Sequence, residues 1–395
     1  RCILFWRSST HFLGGLGIIV LFVAVLGHGS AGKALMRAEM PGPSKEGSQE
    51  RMQHTAWVFA GIYLALNVIL AVLLKLEGPT TVRGTMTWFE AICHSFGAMA
   101  TGGFSTMDSS LGGFESRAVE YTIIVFMALA GTNFTLLYLT SIGKPRVLLR
   151  DLEWRVYMAI ILLATVLILV AGTIDRNDFD PAGQLDGLAE VEDAFRDSLF
   201  TVVSIVTTTG FGTADFDQWS DFSRALLLFL MFVGGCAGST GGGMKVIRHI
   251  LFVKIVGREF ERAYRPSVVR HLRLGKETLT DPDLTRQILA YVGLIAMIFV
   301  TSWLVLVAIE PDQTWVEAGE TAAGTRPENK LMDSASAVAA TLHNIGPGLG
   351  MVGPAKNYAY FSPAAKMYMT LLMMLGRLEL YAILVLVLPS FWRER

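Results

Sequence analysis

Apolar segments that recur along the chain constrain its fold more than any other feature. A helix needs roughly 20 apolar residues to cross the hydrocarbon core of a bilayer. The candidate spans are residues 12–26, 56–76, 119–140, 154–173, 225–235 continuing to 256, 288–309 and 367–389. The chain is 52% hydrophobic and only 17% charged, whereas soluble domains carry about a quarter charged residues. The sequence therefore predicts an all-α, multi-pass membrane protein.

Three shorter apolar stretches lie between the candidate spans, at residues 88–99, 194–206 and 334–342. They are too short to span and are predicted to be re-entrant or interfacial helices. Each leads into a glycine-containing segment, at residues 101–105, 207–213 and 344–350. The order of spanning helix, short helix, glycine loop and spanning helix thus recurs along the chain, which indicates internal repeats. We predict a second repeat at 55–152, a third at 153–285 and a fourth at 286–395, with 1–54 as the closing helix and linker of a first repeat whose beginning is absent.

The distribution of charge predicts the orientation in the membrane. The linkers that join successive repeats are basic, and the segments that flank the glycine loops are acidic. By the positive-inside rule the linkers are cytoplasmic, and the glycine loops enter from outside. The acidic segments are either a solvated face that avoids positive charge, which is the commoner case, or an entrance that concentrates cations. The basic linker residues are Lys33, Arg37, Lys45, Arg51, Lys144, Arg146, Arg150, Arg155, Arg258, Arg262, Arg265, Arg270, Arg273 and Lys276.

The glycine loops are candidates for a cation filter. Irregular backbone at membrane depth is tolerated where it is buried in protein or lines a water-filled cavity. Rings of backbone carbonyls can replace the water shell of a potassium ion, and glycine lets the backbone adopt the turns this requires. A single loop could equally be a plain turn between helices; three at the same place in a repeat favour the filter. We align Gly102 with Gly210 and Gly346, and the predicted ion-binding residues are Thr101, Gly102, Gly103, Thr208, Thr209, Gly210, Phe211, Asn344, Ile345 and Gly346.

These motifs, in this order, resemble the TrkH/TrkG/KtrB family of bacterial potassium transporters. The resemblance is carried by residues 5–8, 14–19, 100–105, 207–212 and 344–348 and extends over essentially the whole chain. It implies pseudo-fourfold repeats around one pore, potassium uptake across the bacterial inner membrane, and a homodimer. It also implies a cytoplasmic nucleotide-binding regulatory subunit similar to TrkA or KtrA, with no cofactor and no nucleic acid. The family's first filter loop is missing from this sequence.

A glycine-rich run at residues 234–245 interrupts the apolar segment 225–256. Valine follows Lys245 where a phosphate-binding loop has Ser or Thr, so we reject nucleotide binding. Each glycine costs a helix about 1 kcal/mol relative to alanine, so the run must break the helix. In the resembling family this stretch obstructs the pore below the filter. A passive kink is the alternative to the predicted gate, whose residues are Gly238, Ser239, Thr240, Gly241, Gly242, Gly243 and Lys245.

Two charged residues, Arg377 and Glu379, interrupt the last apolar segment. Charges at membrane depth usually face the interior of the bundle or a cavity. The resemblance implies that Arg377 lies near the pore beneath the filter and takes part in gating; a structural ion pair or the capping of loop carbonyls is the alternative.

Enzymatic chemistry is not indicated. The cysteines Cys2, Cys93 and Cys236 share no metal-ligand spacing, and His94 and His343 are interpreted as structural. Potassium at the filter carbonyls is the expected ion. The rival interpretation is a secondary cation transporter coupled to Na⁺ or H⁺, which would carry ionisable groups at its substrate site.

Overall fold

The computed structural model describes residues 1–24, 49–78, 85–175, 188–265, 272–274, 277–279, 282–319 and 327–377. These residues are overwhelmingly helical. The helices are α1 Cys2–Ala24, α2 Gln49–Glu77, α3 Trp88–Met99, α4 Arg117–Ala130, α5 Phe134–Ser141, α6 Pro145–Arg150, α7 Leu152–Asp175, α8 Leu188–Val206, α9 Asp221–Leu230, α10 Val246–Tyr264, α11 Pro282–Ile309, α12 Gln313–Glu317, α13 Lys330–Leu342 and α14 Pro363–Arg377. Single turns of 3₁₀ helix lie at Ser110–Phe114, Phe216–Gln218 and Gly350–Val352.

One hairpin departs from the all-helical expectation within these residues. Strand β1, Leu272–Leu274, pairs antiparallel with β2, Glu277–Leu279, so that Leu272 lies opposite Leu279. The hairpin belongs to the basic linker between α10 and α11 and leaves the helical architecture unchanged.

Helices long and apolar enough to cross a membrane are present at three places in the described chain: Ala56–Glu77, Leu152–Thr173 and Leu284–Ile309. Only 28%, 33% and 17% of their most apolar windows are buried inside the protein. Their remaining apolar surface is therefore available to lipid. The candidate span 367–389 begins within α14, and its part beyond residue 377 lies outside the described residues.

The span predicted at 119–140 is not one straight helix. It consists of α4 and α5, which are bent by 107° at residues 131–133. Asn133 caps α5 by accepting a hydrogen bond from the N–H of Thr135. The Gly131 carbonyl, released from the helix, accepts one from the N–H of Cys236. The break is stabilised by a partner about a hundred residues away, which a local apolar pattern does not reveal.

The short apolar stretches form helices as predicted. Residues 88–99 coincide with α3, whereas α8 and α13 begin several residues before the predicted 194 and 334. The run 225–256 is broken into α9 and α10, as its glycines require.

Aromatic packing brings α1 onto α2 and α3. The ring of Phe12 stacks on Tyr63 and Phe96, with centroids 5.3 and 4.5 Å apart. A large core cluster extends from here through α8 and α9, and a second cluster, which includes Leu306 and Trp315, joins α11 to α14. Both cores hold the ends of α3, α8 and α13 in place.

Candidate functional site

The three short helices end in the same hydrogen-bonded turn. In α3 the N–H of Gly102 donates to Gly97 O and that of Thr101 to Ala98 O. Equivalent pairs of bonds end α8, from Thr209 to Ser204 and Thr208 to Ile205, and α13, from Ile345 to Ala340 and Asn344 to Thr341. This is the Schellman arrangement, in which the residue after the helix cap takes the left-handed conformation. We call these the first, second and third turns.

The left-handed residue is not glycine in any of the turns. It is Thr101 with φ 51°, Thr208 with φ 57° and Asn344 with φ 57°. A positive φ is uncommon for a residue with a Cβ and is a genuine outlier for a β-branched one such as threonine. Strain of this kind persists only where the surroundings hold it, and it clusters at functional sites.

Each of these left-handed residues is held through its side chain, which forms a hydrogen bond with a backbone group of another segment. Thr101 Oγ1 donates to Thr240 O over 2.9 Å, and Thr208 Oγ1 accepts from the N–H of Gly242 over 2.6 Å. Asn344 Nδ2 donates to Met373 O in α14 over 3.1 Å. The glycine-rich run thus supports the first two turns, and α14 supports the third.

The predicted alignment of the loops is wrong by one residue in the first turn. The equivalent glycines are Gly103, Gly210 and Gly346, with φ of 66°, 83° and 111°. Gly102 therefore corresponds to Thr209 and Ile345, and not to Gly210. The hydrogen bonds of the helix cap determine the alignment, and a Gly-Gly pair does not show which glycine follows the capping turn.

Consecutive turns touch through these glycines. A Cβ on Gly103 would lie 2.0 Å from Thr209 O, and a Cβ on Gly210 would lie 1.9 Å from Ile345 O. A Cβ on Gly102 would lie 1.8 Å from Nδ1 of His11, so Gly102 packs directly on the ring of this α1 residue. The first turn therefore packs on the second and the second on the third, with a backbone carbonyl oxygen at each contact. Neutral oxygens are thereby concentrated in one place, without a carboxylate among the turn residues.

Two of the predicted ion-binding residues have a carbonyl group that accepts a hydrogen bond from a hydroxyl of the protein. The carbonyl of Phe211 accepts from the Ser204 hydroxyl at 2.7 Å, and the Phe211 ring is buried. The carbonyl of Gly346 accepts from the Tyr358 hydroxyl at 2.7 Å. Sequence analysis did not identify Tyr358, because no fixed spacing relates it to the turn.

The glycine-rich run contacts all three turns. Thr240 Oγ1 donates to the carbonyls of Met99 at 2.9 Å and Ala130 at 3.1 Å. A Cβ on Gly242 would meet His343 O at 3.0 Å, beside the third turn. The predicted gate therefore lies directly against the ends of α3, α8 and α13.

The run folds back on itself and is closed at its base. The N–H of Gly234 donates to Met244 O at 2.9 Å and that of Val246 donates to Gly235 O at 3.1 Å. Lys245 Nζ donates to Gly241 O within the run. Gly238 and Gly243, with φ of 69° and 67°, lie at the two bends, where only glycine adopts the backbone without strain.

Arg377 is the last described residue of α14, and it lies within electrostatic range of His11 and Tyr63. Glu379, the second charge in this apolar segment, lies outside the described residues. The preceding Gly376 packs on the end of α13, where a Cβ would lie 1.8 Å from Leu342 O. Gly376 was missed by sequence analysis, since a lone glycine in an apolar helix gives no signal of such a contact.

The two histidines interpreted as structural, His94 and His343, each contact a backbone carbonyl of their own helix. His94 contacts Glu90 O through Nδ1 and Ser105 Oγ through Nε2, and His343 Nδ1 contacts Ala339 O. Arg7 of α1 donates to Ser105 O at 2.7 Å and lies over the Phe104 ring. The α1 residues that carry the family resemblance thus brace the segment after the first turn.

Three acidic residues outside the turns pair with arginines. Arg196 contacts Glu120, Glu192 and Asp193, and Arg117 contacts the last two. These contacts favour a structural role for this part of the acidic region over a cation entrance. Within the described residues, no group of three or more His, Cys, Asp or Glu side chains could hold a metal ion.

The helical fold, with helices long and apolar enough to cross a membrane, defines the chain as a membrane protein. The chain belongs to the TrkH family, since the family model described as "TrkH: Cation transport protein" matches residues 1–393. This confirms the family predicted from the motifs, and with it an all-α, multi-pass transporter that is not an enzyme.

Relatives and a solved structure agree. The chain is 38% identical to the Trk system potassium uptake protein TrkH of Salmonella typhimurium over 397 residues, which are 100% of this chain and 74% of that protein. It is 32% identical to the Trk system potassium uptake protein TrkG of Escherichia coli K12, again over 100% of this chain and 74% of the relative. The crystal structure of the potassium transporter TrkH from Vibrio parahaemolyticus matches with a TM-score of 0.79 at 35% identity, covering 99% of this chain and 73% of that one.

Proposed function

We propose that this chain takes up potassium across the bacterial inner membrane through a filter built from the first, second and third turns. The observation that carries the proposal is the interlocking of the turns, in which Gly103 and Gly210 each lie against a backbone carbonyl of the next turn. The proposed ion-binding residues are Thr101–Gly103, Thr208–Phe211 and Asn344–Gly346, with Phe211 supporting the turn from behind. The relatives named above are potassium uptake proteins.

Potassium suits such a site for a physical reason. A weakly hydrated monovalent cation can exchange its water oxygens for neutral carbonyl oxygens, as it does in potassium filters. The turns supply these oxygens, and their strained backbone is held by Thr240, Gly242 and Met373. A carboxylate, which would favour divalent or strongly hydrated ions, is not among the turn residues.

The glycine-rich run acts as the gate in this proposal. Its proposed residues are Gly238, Ser239, Thr240, Gly241, Gly242, Gly243 and Lys245, together with Arg377. Of these, Thr240 and Gly242 contact the first and second turns directly, and Arg377 lies within electrostatic range of His11, which packs on Gly102. Gly242 contacts the second turn through one hydrogen bond, and Thr240 contacts the end of α3 and the first turn through two. Because these bonds are few and glycines form the bends, a small rearrangement would free the run from the filter. Movement of the run would thereby open the path to the cytoplasm.

The relatives are named as parts of a Trk system, and the word system implies an assembly of several components. This chain is therefore expected to act within such an assembly. We propose a homodimer that binds a cytoplasmic, nucleotide-binding regulatory subunit of the TrkA or KtrA kind. The basic residues of the linkers, including Arg258 and Arg262 at the exposed end of α10, are candidates for that contact. The repeat boundaries at 54, 152 and 285 belong to the same proposal.

The filter is tested by Gly210→Ser in the full-length protein, reconstituted in liposomes. Uptake of K⁺, Rb⁺, Na⁺ and Li⁺ is compared with that of wild type and of Gly143→Ser. Gly143 is a matched control because its φ is also 83°, while no atom lies within 4 Å of the position of a Cβ. We expect Gly210→Ser to lose the preference for K⁺ and Rb⁺ and Gly143→Ser to keep it.

The opposite results have definite meanings. If Gly210→Ser keeps the preference for K⁺, the turns are not the filter. If flux requires a Na⁺ or H⁺ gradient and ignores Gly210, the coupled transporter replaces the proposal.

A further inference from the structure

The glycine-rich run is tied to a buried carboxylate of α7. Glu153 Oε1 accepts a hydrogen bond from the N–H of Ala237 at 2.7 Å and another from the N–H of Ile247 at 3.1 Å. Ala237 precedes the first bend of the run, and Ile247 lies in the first turn of α10, beyond the second bend. One oxygen atom therefore binds both ends of the run.

Helix α10 requires this carboxylate at its start. The first N–H groups of a helix have no partner within it and are usually capped by a side chain. The residue at the cap position of α10 is Lys245, which has no side-chain acceptor and makes no capping bond. Helices α3, α5 and α9 by contrast are capped by Thr87, Asn133 and Ser220. Glu153, which lies in α7, supplies the hydrogen-bond acceptor for the start of α10 that those residues supply for their own helices. Its negative charge also interacts favourably with the positive end of the helix dipole at the N-terminus.

Glu153 is free for this role because α7 has its own cap. The N–H of Trp154 donates to Asp151 Oδ1 at 2.8 Å. Glu153 is only 8% exposed, and burial of a carboxylate is costly unless it is hydrogen-bonded. Two N–H donors and the helix N-terminus provide that compensation, so the carboxylate and the run hold each other in place.

We infer that Glu153 is a positioning residue that holds the base of the glycine-rich run, so that its tip rests against the turns. The tip, residues 239–242, lies between the bends at Gly238 and Gly243. It carries Thr240 and Gly242, which contact the first and second turns. The base is formed by the two ends of the run, which Glu153 joins through Ala237 and Ile247. While the base is fixed, only the tip can move; when the base is released, the whole run can move away from the turns. This inference rests on the proposed gate and adds the residue that sets its resting position.

The reactivity of a native thiol, that of Cys236, can show whether the base of the run has been released. Cys236 lies next to Ala237 and is 0% exposed, and so is Cys93, which lies in α3 away from the run. In full-length protein, alkylation of both thiols by a membrane-permeant reagent is followed by mass spectrometry for wild type, Glu153→Ala and Glu153→Gln. Potassium flux is measured in liposomes without the regulatory subunit. Glu310→Ala is the matched control, because Glu310 is 1% exposed and also accepts a backbone N–H, from Ser362, but lies in another repeat.

We expect Glu153→Ala to raise the rate of Cys236 alkylation and the regulator-independent flux by about tenfold or more, a change that corresponds to about 1.4 kcal/mol. Alkylation of Cys93 and the ratio of K⁺ to Na⁺ flux should not change. Glu153→Gln keeps a carbonyl acceptor and should lie between wild type and Glu153→Ala. Glu310→Ala should alter neither thiol.

Three results would contradict either the role of Glu153 or the proposed gate, and each has a different meaning. If Cys236 stays protected in Glu153→Ala, or if Cys93 is exposed equally, Glu153 does not hold the base. If Glu310→Ala exposes Cys236 as strongly, the effect is general loosening and the inference fails. If Cys236 alone is exposed but flux stays at the wild-type level, Glu153 holds the run and the proposed gate is wrong.

Discussion

Gly376 offers a test of the third turn that does not alter any turn residue. In α14 a Cβ at this position would lie 1.8 Å from Leu342 O and 2.7 Å from Asn344 Nδ2. Real Cβ atoms essentially never approach another atom closer than 3.0 Å, so Gly376→Ala must move α14 and the end of α13 apart by about 1 Å. The same movement stretches the bond from Asn344 Nδ2 to Met373 O, which is 3.1 Å long.

The magnitude follows from three opposing effects. Alanine favours a helix over glycine by about 1 kcal/mol. Overpacking a tight contact costs about 1–3 kcal/mol, and the loss of the Asn344 bond costs a further 0.5–1.5 kcal/mol, roughly. We therefore expect Gly376→Ala to lower the free energy of unfolding by about 0.5–3.5 kcal/mol. The third turn loses its support, so the ratio of K⁺ to Na⁺ flux should fall as well.

The assay combines thermal unfolding in detergent with cation flux in liposomes. Gly293→Ala is the control, because Gly293 also lies within a membrane helix, α11, but has no atom within 4 Å of a Cβ. The control should unfold at the same or a higher temperature than wild type and should keep its selectivity. If Gly376→Ala behaves like Gly293→Ala in both measurements, α14 does not support the third turn and the reasoning is refuted.

Two further substitutions separate the gate from the scaffold. Thr240→Val keeps the shape of the side chain but removes the hydrogen bond to Met99 O; we expect higher regulator-independent flux in liposomes with unchanged selectivity, and unaltered flux would count against the gate. Glu120→Ala removes the most buried partner of Arg196, whose side chain is only 10% exposed, and should lower the free energy of unfolding by up to about 3 kcal/mol, the lower end for a broken buried pair. The ratio of K⁺ to Na⁺ flux of Glu120→Ala should not change. The control is Asp221→Ala, which removes a fully exposed carboxylate and should change neither the free energy of unfolding nor the flux ratio in the same thermal and flux measurements.

The sequence by itself determined the three long apolar helices α2, α7 and α11, the existence of the short helices α3, α8 and α13, and the break between α9 and α10. These features depend on local properties, namely the length of an apolar run and the position of glycine, that can be recognised without knowledge of the partners. The end of α3 at Met99 could be predicted to the residue, because Thr101-Gly102-Gly103 follows it after a single alanine. The three similar loops at similar places in the chain were also enough to indicate the family.

The tertiary structure alone decided how the loops meet. The alignment of Gly103 with Gly210 depends on the helix-cap bonds to Gly97 and Ser204, and these can be assigned only when the last turn of each helix is known. The strained Thr101 and Thr208 are held by Thr240 and Gly242, which lie in a different segment.

Likewise, Glu153 looks like any acidic residue at the start of a helix until Ala237 and Ile247 are placed beside it. The bend between α4 and α5 is supported by Cys236, and the third turn rests on Gly376 of α14. None of these partners has a fixed separation along the chain, because each contact depends on how whole helices pack. Local pattern therefore determined which segments form the site, and packing determined which atoms face each other within it.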